Sequence, residues 1–304
     1  MKDAQSSSTA KVIAAATIAL ASDPATAHLV SPGAAAWCDV FLSGRTADRL
    51  LAGSARHPVG RTLWRGVERL TLPGIVEHYW HRKRWIESRC RRALETGVQG
   101  LVVLGAGLDT LGLRLAVQHP QLSVMEVDHP ATQAAKLQAL ASAGHARPTN
   151  LQFVACDLAS SALPAWVTEP TVRTLTIAEG VLMYLQSDRV KALFDDVASS
   201  GAPGSEFIFS FMTQWPDAGH GFRPRSALIE RWLAWRGEPF MWAWPPQQMQ
   251  PLLAGHGLHM LELAQTADFT PPTPPRHINQ SVPGVVSIVR QPLQGENLVW
   301  CESS

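Results

Sequence analysis

Cysteine is scarce: the four in this chain of 304 residues, Cys38, Cys90, Cys156 and Cys301, form no Cys-x-x-Cys pair and have no histidine at zinc-ligand spacing. A disulfide framework and a structural metal are therefore excluded, and free thiols fit a reducing, cytoplasmic compartment. An excess of either charge is also missing. Lys plus Arg total 26 against 25 Asp plus Glu, a net of +1, so no global field recruits nucleic acid or an anionic membrane. No apolar run reaches the roughly 18 residues of a membrane span. The weakly apolar, alanine-rich stretch Val12 to Ala21, behind Lys2 and Lys11, has the outline of a secretory signal, but the pattern continues past Asp23-Pro24 into a second helix-like stretch. It reads as an amphipathic helix of a cytoplasmic protein. No repeat of fixed period occurs, and the single biased segment is the short connector Pro271 to Pro275.

What is present is 46% hydrophobic sequence, enough for a substantial core. Residues 9 to 100 read as helical, with Ile75, Trp80, Trp85, Ile86, Cys90 and Leu94 at three- and four-residue spacings. From Gly100 the texture changes to short β-branched runs alternating with helical patterns: Leu101 to Leu104, Leu122 to Val127, Leu151 to Val154, Val172 to Ala178 and Glu206 to Met212. That alternation predicts an α/β fold with a mostly parallel sheet and crossover helices. Two further runs, His259 to Leu263 and Val285 to Val289, are expected as edge strands. We expect one structural domain: a helical cap over 1–100 and a ligand-binding core over 101–304, with a substrate lid at about 213–255. Five tryptophans between Trp215 and Trp244 (Trp215, Trp232, Trp235, Trp242 and Trp244) either pack a helix onto the sheet or roof a flat substrate.

The segment Leu101-Val-Val-Leu-Gly105-Ala-Gly107-Leu-Asp109-Thr110 runs an apolar strand into a Gly-x-Gly turn, where α/β folds bind nucleotides. Asp128, 21 residues beyond Gly107, ends the second strand and suits both hydroxyls of a ribose. Asp157 follows the third strand and can accept an adenine amino proton while Leu158 packs on the ring; alternatively it caps the next turn. A nicotinamide dinucleotide would want a third glycine where Thr110 stands, and Asp109 beside the turn would repel a pyrophosphate. S-adenosyl-L-methionine carries a sulfonium and an ammonium and no phosphate, so charge favours it.

The words Val103-Leu-Gly-Ala-Gly-Leu-Asp-Thr110, Glu126-Val-Asp-His-Pro130, Ala178-Glu-Gly-Val-Leu-Met-Tyr-Leu185 and Gly237-Glu-Pro-Phe240 occur in order. In these the chain resembles the leucine carboxyl methyltransferase-like branch of the class I S-adenosylmethionine methyltransferases, which includes bacterial O-methyltransferases of polyketide pathways. The resemblance implies a Rossmann-like class I fold with a seven-stranded sheet. It also implies roles: Arg82 on the cofactor's carboxylate with Lys11 assisting, Gly105 and the Gly107 turn against its methionine end, Asp128 on the ribose, Asp157 and Leu158 at the adenine, and Glu179 on the ammonium side. Arg84 is the alternative to Arg82, and the surrounding basic cluster can equally be a solvated helix face.

Methyl transfer from a sulfonium is one in-line displacement, so holding the acceptor in a water-poor site is most of the task. A carboxylate acceptor needs no base, whereas a phenol does. Tyr184, His220, His256 and His277 are the candidate catalytic side chains; Tyr184 either lines the substrate pocket or merely packs, and no histidine stands convincingly near the motifs. The expected acceptor is therefore a carboxylate, with a phenol or enol second, on a hydrophobic small molecule; Arg223 and Arg225 are candidates to clamp an acid. Protein carboxyl methylation and a cofactor-binding protein without turnover are the alternatives, with no nucleic-acid or membrane partner expected.

Overall fold

The structure is a computed structural model that describes residues 7–164, 172–269 and 293–303. Five helices precede the first strand: α1 (Ser8–Ala21), α2 (Ala34–Phe41), α3 (Thr46–Arg56), α4 (Pro58–Thr71) and α5 (Ile75–Glu95). Helix α1 starts where the Ser7 side chain accepts the Ala10 N–H, a serine N-cap. Helix α5 starts after Gly74, whose φ of 86° only glycine adopts readily, and buries Trp80, Arg82, Trp85, Ile86, Cys90 and Ala93.

Strands and helices then alternate as β1 (Gly100–Leu104), α6 (Leu111–Gln118), β2 (Ser123–Asp128), α7 (Pro130–Ser142), β3 (Leu151–Ala155), β4 (Thr174–Ala178), α8 (Ser187–Ala198) and β5 (Glu206–Thr213). There follow α9 (Ala227–Arg236), the short β6 (Ala243–Trp244), α10 (Met249–Ala254), β7 (Leu258–Gln265), α11 (Thr266–Phe269) and β8 (Glu296–Ser303). The sheet order is β3-β2-β1-β4-β5-β8-β7, with β6 paired to the end of β5. Strands β1 to β5 run parallel to one another, and β8 runs antiparallel to both β5 and β7. This is the mostly parallel seven-strand path of a Rossmann-like class I methyltransferase fold, with β6 as a two-residue addition.

The strand period of two distributes the core. Leu101 and Val103 of β1 join Ala14, Ile18, Phe41, Trp85 and Ile86 of the early helices on one face. Val102 and Leu104 join Val190, Leu193 and Phe194 of α8 and Phe207, Phe209 and Phe211 of β5 on the other. Because β1 continues to β2 on one side and has β4 on the other, the carboxyl end of β1 is a topological switch point, where a crevice opens.

The C-terminal strands differ from expectation. The run at 259–263 does form the edge strand β7, but Val285 to Val289 and the proline connector at 271–275 lie outside the described residues. The strand that completes the sheet is β8, and it lies between β5 and β7 instead of at an edge. Its flanking Glu296, Asn297 and Glu302 mask the apolar centre that a hydrophobic-run reading looks for. Among the described residues no helix is long and apolar enough to cross a membrane.

Candidate functional site

A cavity of about 470 Å³ opens at the carboxyl ends of β1 to β4. Its floor is the turn after β1. Gly105 has φ of 61°, and a Cβ there would collide with the Val181 side chain, so any other residue is both strained and overpacked. Gly107 has φ of 51° and lies under Ala10 of α1. The close helix approach that a dinucleotide fingerprint obtains from a third glycine comes here from Gly112, where a Cβ would meet Glu126 of β2 at 2.6 Å.

Asp128 ends β2 with one carboxylate oxygen accepting the Gly107 N–H and the other accepting the His129 N–H at 2.6 Å. Burial raises its pKa, and those two N–H groups oppose the rise. Each oxygen has accepting capacity beyond that one bond, and Asp128 lines the cavity. Asp157 and Leu158 also line it. The Asp157 side chain accepts from Ala159 N at 3.0 Å and Ser160 Oγ at 2.9 Å, so it caps the turn after β3 as well.

A buried ionic network forms the opposite wall. Arg82 donates from Nε and Nη2 to Glu179 Oε1, at 3.0 and 2.7 Å, and from Nη1 to Glu296 Oε1 at 2.6 Å. Lys83 Nζ bridges Asp109 at 2.6 Å and Glu179 at 3.1 Å, and His78 meets Glu296 at 2.7 Å. Burial alone would lower the Arg82 pKa, but Glu296 and Glu179 reverse this and raise it. Burial likewise works against the Glu296 carboxylate, yet Arg82 and His78 hold it down at about 2. Asp109 is held far below the usual carboxylate range by Lys83 despite its burial. Each of Arg82 Nη1 and Nη2 carries a second proton beyond the one used in these pairs.

The donor set fits S-adenosyl-L-methionine. Leaving the histidine aside, Arg82 and Lys83 oppose Glu179, Glu296 and Asp109, one negative charge in excess. The methionine end of the cofactor, with ammonium, carboxylate and sulfonium, carries one positive charge in excess.

The remaining cavity wall is mainly apolar and aromatic, with Tyr79, Tyr184, Phe222, Phe240 and Met241 lining it beside the carboxylate of Glu238. The Tyr184 and Phe240 rings lie 5.7 Å apart. Burial pushes the Tyr79 phenol up to about 12 and raises that of Tyr184 further, so both are hydrogen-bond donors and not bases near neutral pH. None of the five tryptophans lines the cavity. Trp242 packs on Phe194 and Phe211 in the core, and Trp235 is exposed.

Several candidates lie elsewhere. Lys11 faces α3 and pairs with Asp48 at 2.9 Å, outside the cavity. His256 pairs with Asp195 at 2.6 Å, His220 is exposed on a bridge to Gln214, and neither lines the cavity. His277 lies outside the described residues. Arg84 donates to the His28 carbonyl, while Arg223 and Arg225 pair with Asp217 and Glu230 away from the cavity. Sequence reasoning missed Lys83, Glu238, Glu296 and His129 as lining residues. Glu238 stood within a recognised word, Gly237-Glu-Pro-Phe240, without a role, and Glu296 stood in no pattern at all.

The model of the leucine carboxyl methyltransferase family matches residues 7–198. A provisionally named S-adenosyl-L-methionine-dependent methyltransferase of Bacillus subtilis (strain 168) is 30% identical over 184 residues, 60% of this chain and 60% of its own. Another, of Mycobacterium sp. (strain JLS), is 38% identical over 144 residues, 46% of this chain and 47% of its own. The chain thus spans between about half and three fifths of the length of these relatives. Among solved structures, a provisionally named methyltransferase from Thermobifida fusca YX shares the fold, with a TM-score of 0.54 at 19% identity, over 88% of this chain and 92% of its own. Matched from the first helix to the end of α8, the chain belongs to the leucine carboxyl methyltransferase family, and its cofactor is S-adenosyl-L-methionine.

Proposed function

We propose that the protein is an O-methyltransferase that methylates a hydroxyl group, phenolic or enolic, of a hydrophobic small molecule. The bound cofactor supplies a methyl group activated for in-line displacement. Asp128 would hold the ribose, Asp157 and Leu158 the adenine, and the Arg82–Glu179 wall the methionine end. Tyr79, Tyr184, Phe222, Phe240 and Met241 would enclose the acceptor and exclude water, which strengthens every electrostatic contact at the reacting atoms.

One observation carries the choice of hydroxyl over carboxylate. Among the described residues, every lysine and arginine lining the cavity (Arg82, Lys83 and Arg114) is already paired with a carboxylate. An acidic acceptor would enter an apolar pocket without a counter-ion, and uncompensated burial of a charge is strongly unfavourable. The same observation weighs against a protein carboxyl terminus as acceptor, the reading that the family name invites. Release of S-adenosylhomocysteine, followed with paired hydrophobic phenols and carboxylic acids, tests this. We expect turnover that depends on a phenol; turnover with acids alone would reverse the assignment.

A further inference from the structure

Glu238 is 9% exposed and lines the cavity. It follows α9 in the segment that carries Phe240 onto Tyr184, and that segment is pinned by the Met241 N–H on the Met183 carbonyl at 2.7 Å. It therefore lies beside Tyr184 and Met183, in the part of the cavity that follows β4. Oε2 of Glu238 accepts the Thr9 hydroxyl. Among the described residues Oε1 has no hydrogen-bond partner, and no lysine, arginine or histidine forms an ion pair with the group. Oε1 is not sealed from solvent, and because Glu238 lines the cavity a donor entering there can meet it.

We propose that Glu238 is the residue that recognises the acceptor: it accepts a hydrogen bond from a neutral hydroxyl and excludes carboxylates by like-charge repulsion. This rests on the reading of the cavity as the site of O-methyl transfer. The chemistry then balances. The acceptor O–H bond breaks towards the Glu238 carboxylate, the oxygen forms its bond to the methyl carbon, and the sulfur keeps the electron pair of the C–S bond it loses. One positive charge on sulfur and one negative charge on Glu238 disappear together. The proton later leaves to solvent, and Thr9 positions the carboxylate throughout.

The test uses 2-naphthol and 2-naphthoate as probes of one shape, titrated calorimetrically into the full chain saturated with S-adenosylhomocysteine. We expect 2-naphthol to bind at least tenfold more tightly than 2-naphthoate. Glu238→Gln keeps the shape and removes the charge, so it should shrink that ratio below threefold while S-adenosylhomocysteine affinity stays within threefold. A wild-type preference for 2-naphthoate overturns the proposal even where the variant fails to fold, and the narrowing of the ratio in Glu238→Gln assigns the preference to this residue. Equal or tighter binding of 2-naphthoate by the wild type, binding of neither probe, or an unchanged ratio in a folded Glu238→Gln protein would overturn the proposal. Failure of the wild type to bind S-adenosylhomocysteine would instead overturn the cavity assignment itself.

Discussion

Arg82 is placed to serve both stability and the proposed binding of the cofactor. Its guanidinium is buried against Glu179 and Glu296, a fork that a lysine cannot reproduce even though it keeps the charge. Arg82→Lys should weaken S-adenosyl-L-methionine binding at least tenfold and lower the melting temperature. Arg91 on the same helix, with 65% of its side chain exposed, should tolerate the same change in both measurements; equal effects at the two positions would reduce Arg82 to a generic basic surface residue. Asp128→Ala removes a charged acceptor whose hydrogen bonds are each worth about 1.5 to 3 kcal/mol, so calorimetry should report at least a tenfold loss of cofactor affinity in a folded protein. The Glu296 carboxylate is depressed from its ordinary 4.5 to about 2. A depressed acid contributes stability that is complete above about pH 4.5 and drains as pH falls towards 2. Melting temperatures from pH 6 to pH 3 should therefore fall less steeply for Glu296→Gln than for the wild type.

At the scale of the element, the turn after β1 and the ring stack under β5 make opposite demands. The turn is built for a backbone that side chains resist. Gly105→Ala adds a left-handed strain of about 1–2 kcal/mol and a collision with Val181, and it should cost cofactor affinity while far-ultraviolet circular dichroism stays native. The core face, by contrast, depends on bulk. Phe194 of α8 is fully buried, with ring centroids 5.3 Å from Phe209, 6.2 Å from Trp242 and 6.3 Å from Phe207. Phe194→Ala should destabilise the fold by about 3–5 kcal/mol in denaturant titration. Helix α1 joins both halves of the cavity: the Ser7 N–H donates to Thr132 at 3.3 Å beside the β2 end, and Thr9 reaches Glu238. An N-terminal alanine-rich helix, unremarkable in sequence, thereby roofs the site.

Across the whole molecule, legibility followed sequence distance. The glycine turn and Asp128 were readable because strand, turn and acid fall within one βαβ unit of regular spacing, and the sheet followed from alternation of strand and helix. The partners of Arg82 and Glu238 were not readable, because they lie far away along the chain: Glu296 is 214 residues from Arg82 and Thr9 is 229 from Glu238. Lys83 reads as one charge in a solvated run until the fold lays that face of α5 on Asp109 and Glu179. The expectation of a carboxylate acceptor rested on the absence of a base near the motifs, and the role proposed for Glu238 at the cavity wall would supply one. The measurement that bears most directly on the account is the fate of the transferred methyl group. The purified chain is incubated with S-adenosyl-L-methionine bearing a deuterated methyl and a panel of hydrophobic phenols and acids, and the labelled products are exposed to mild alkali before mass analysis. We predict a labelled methyl ether that survives; a labelled methyl ester that hydrolyses, with no ether formed, would contradict the account.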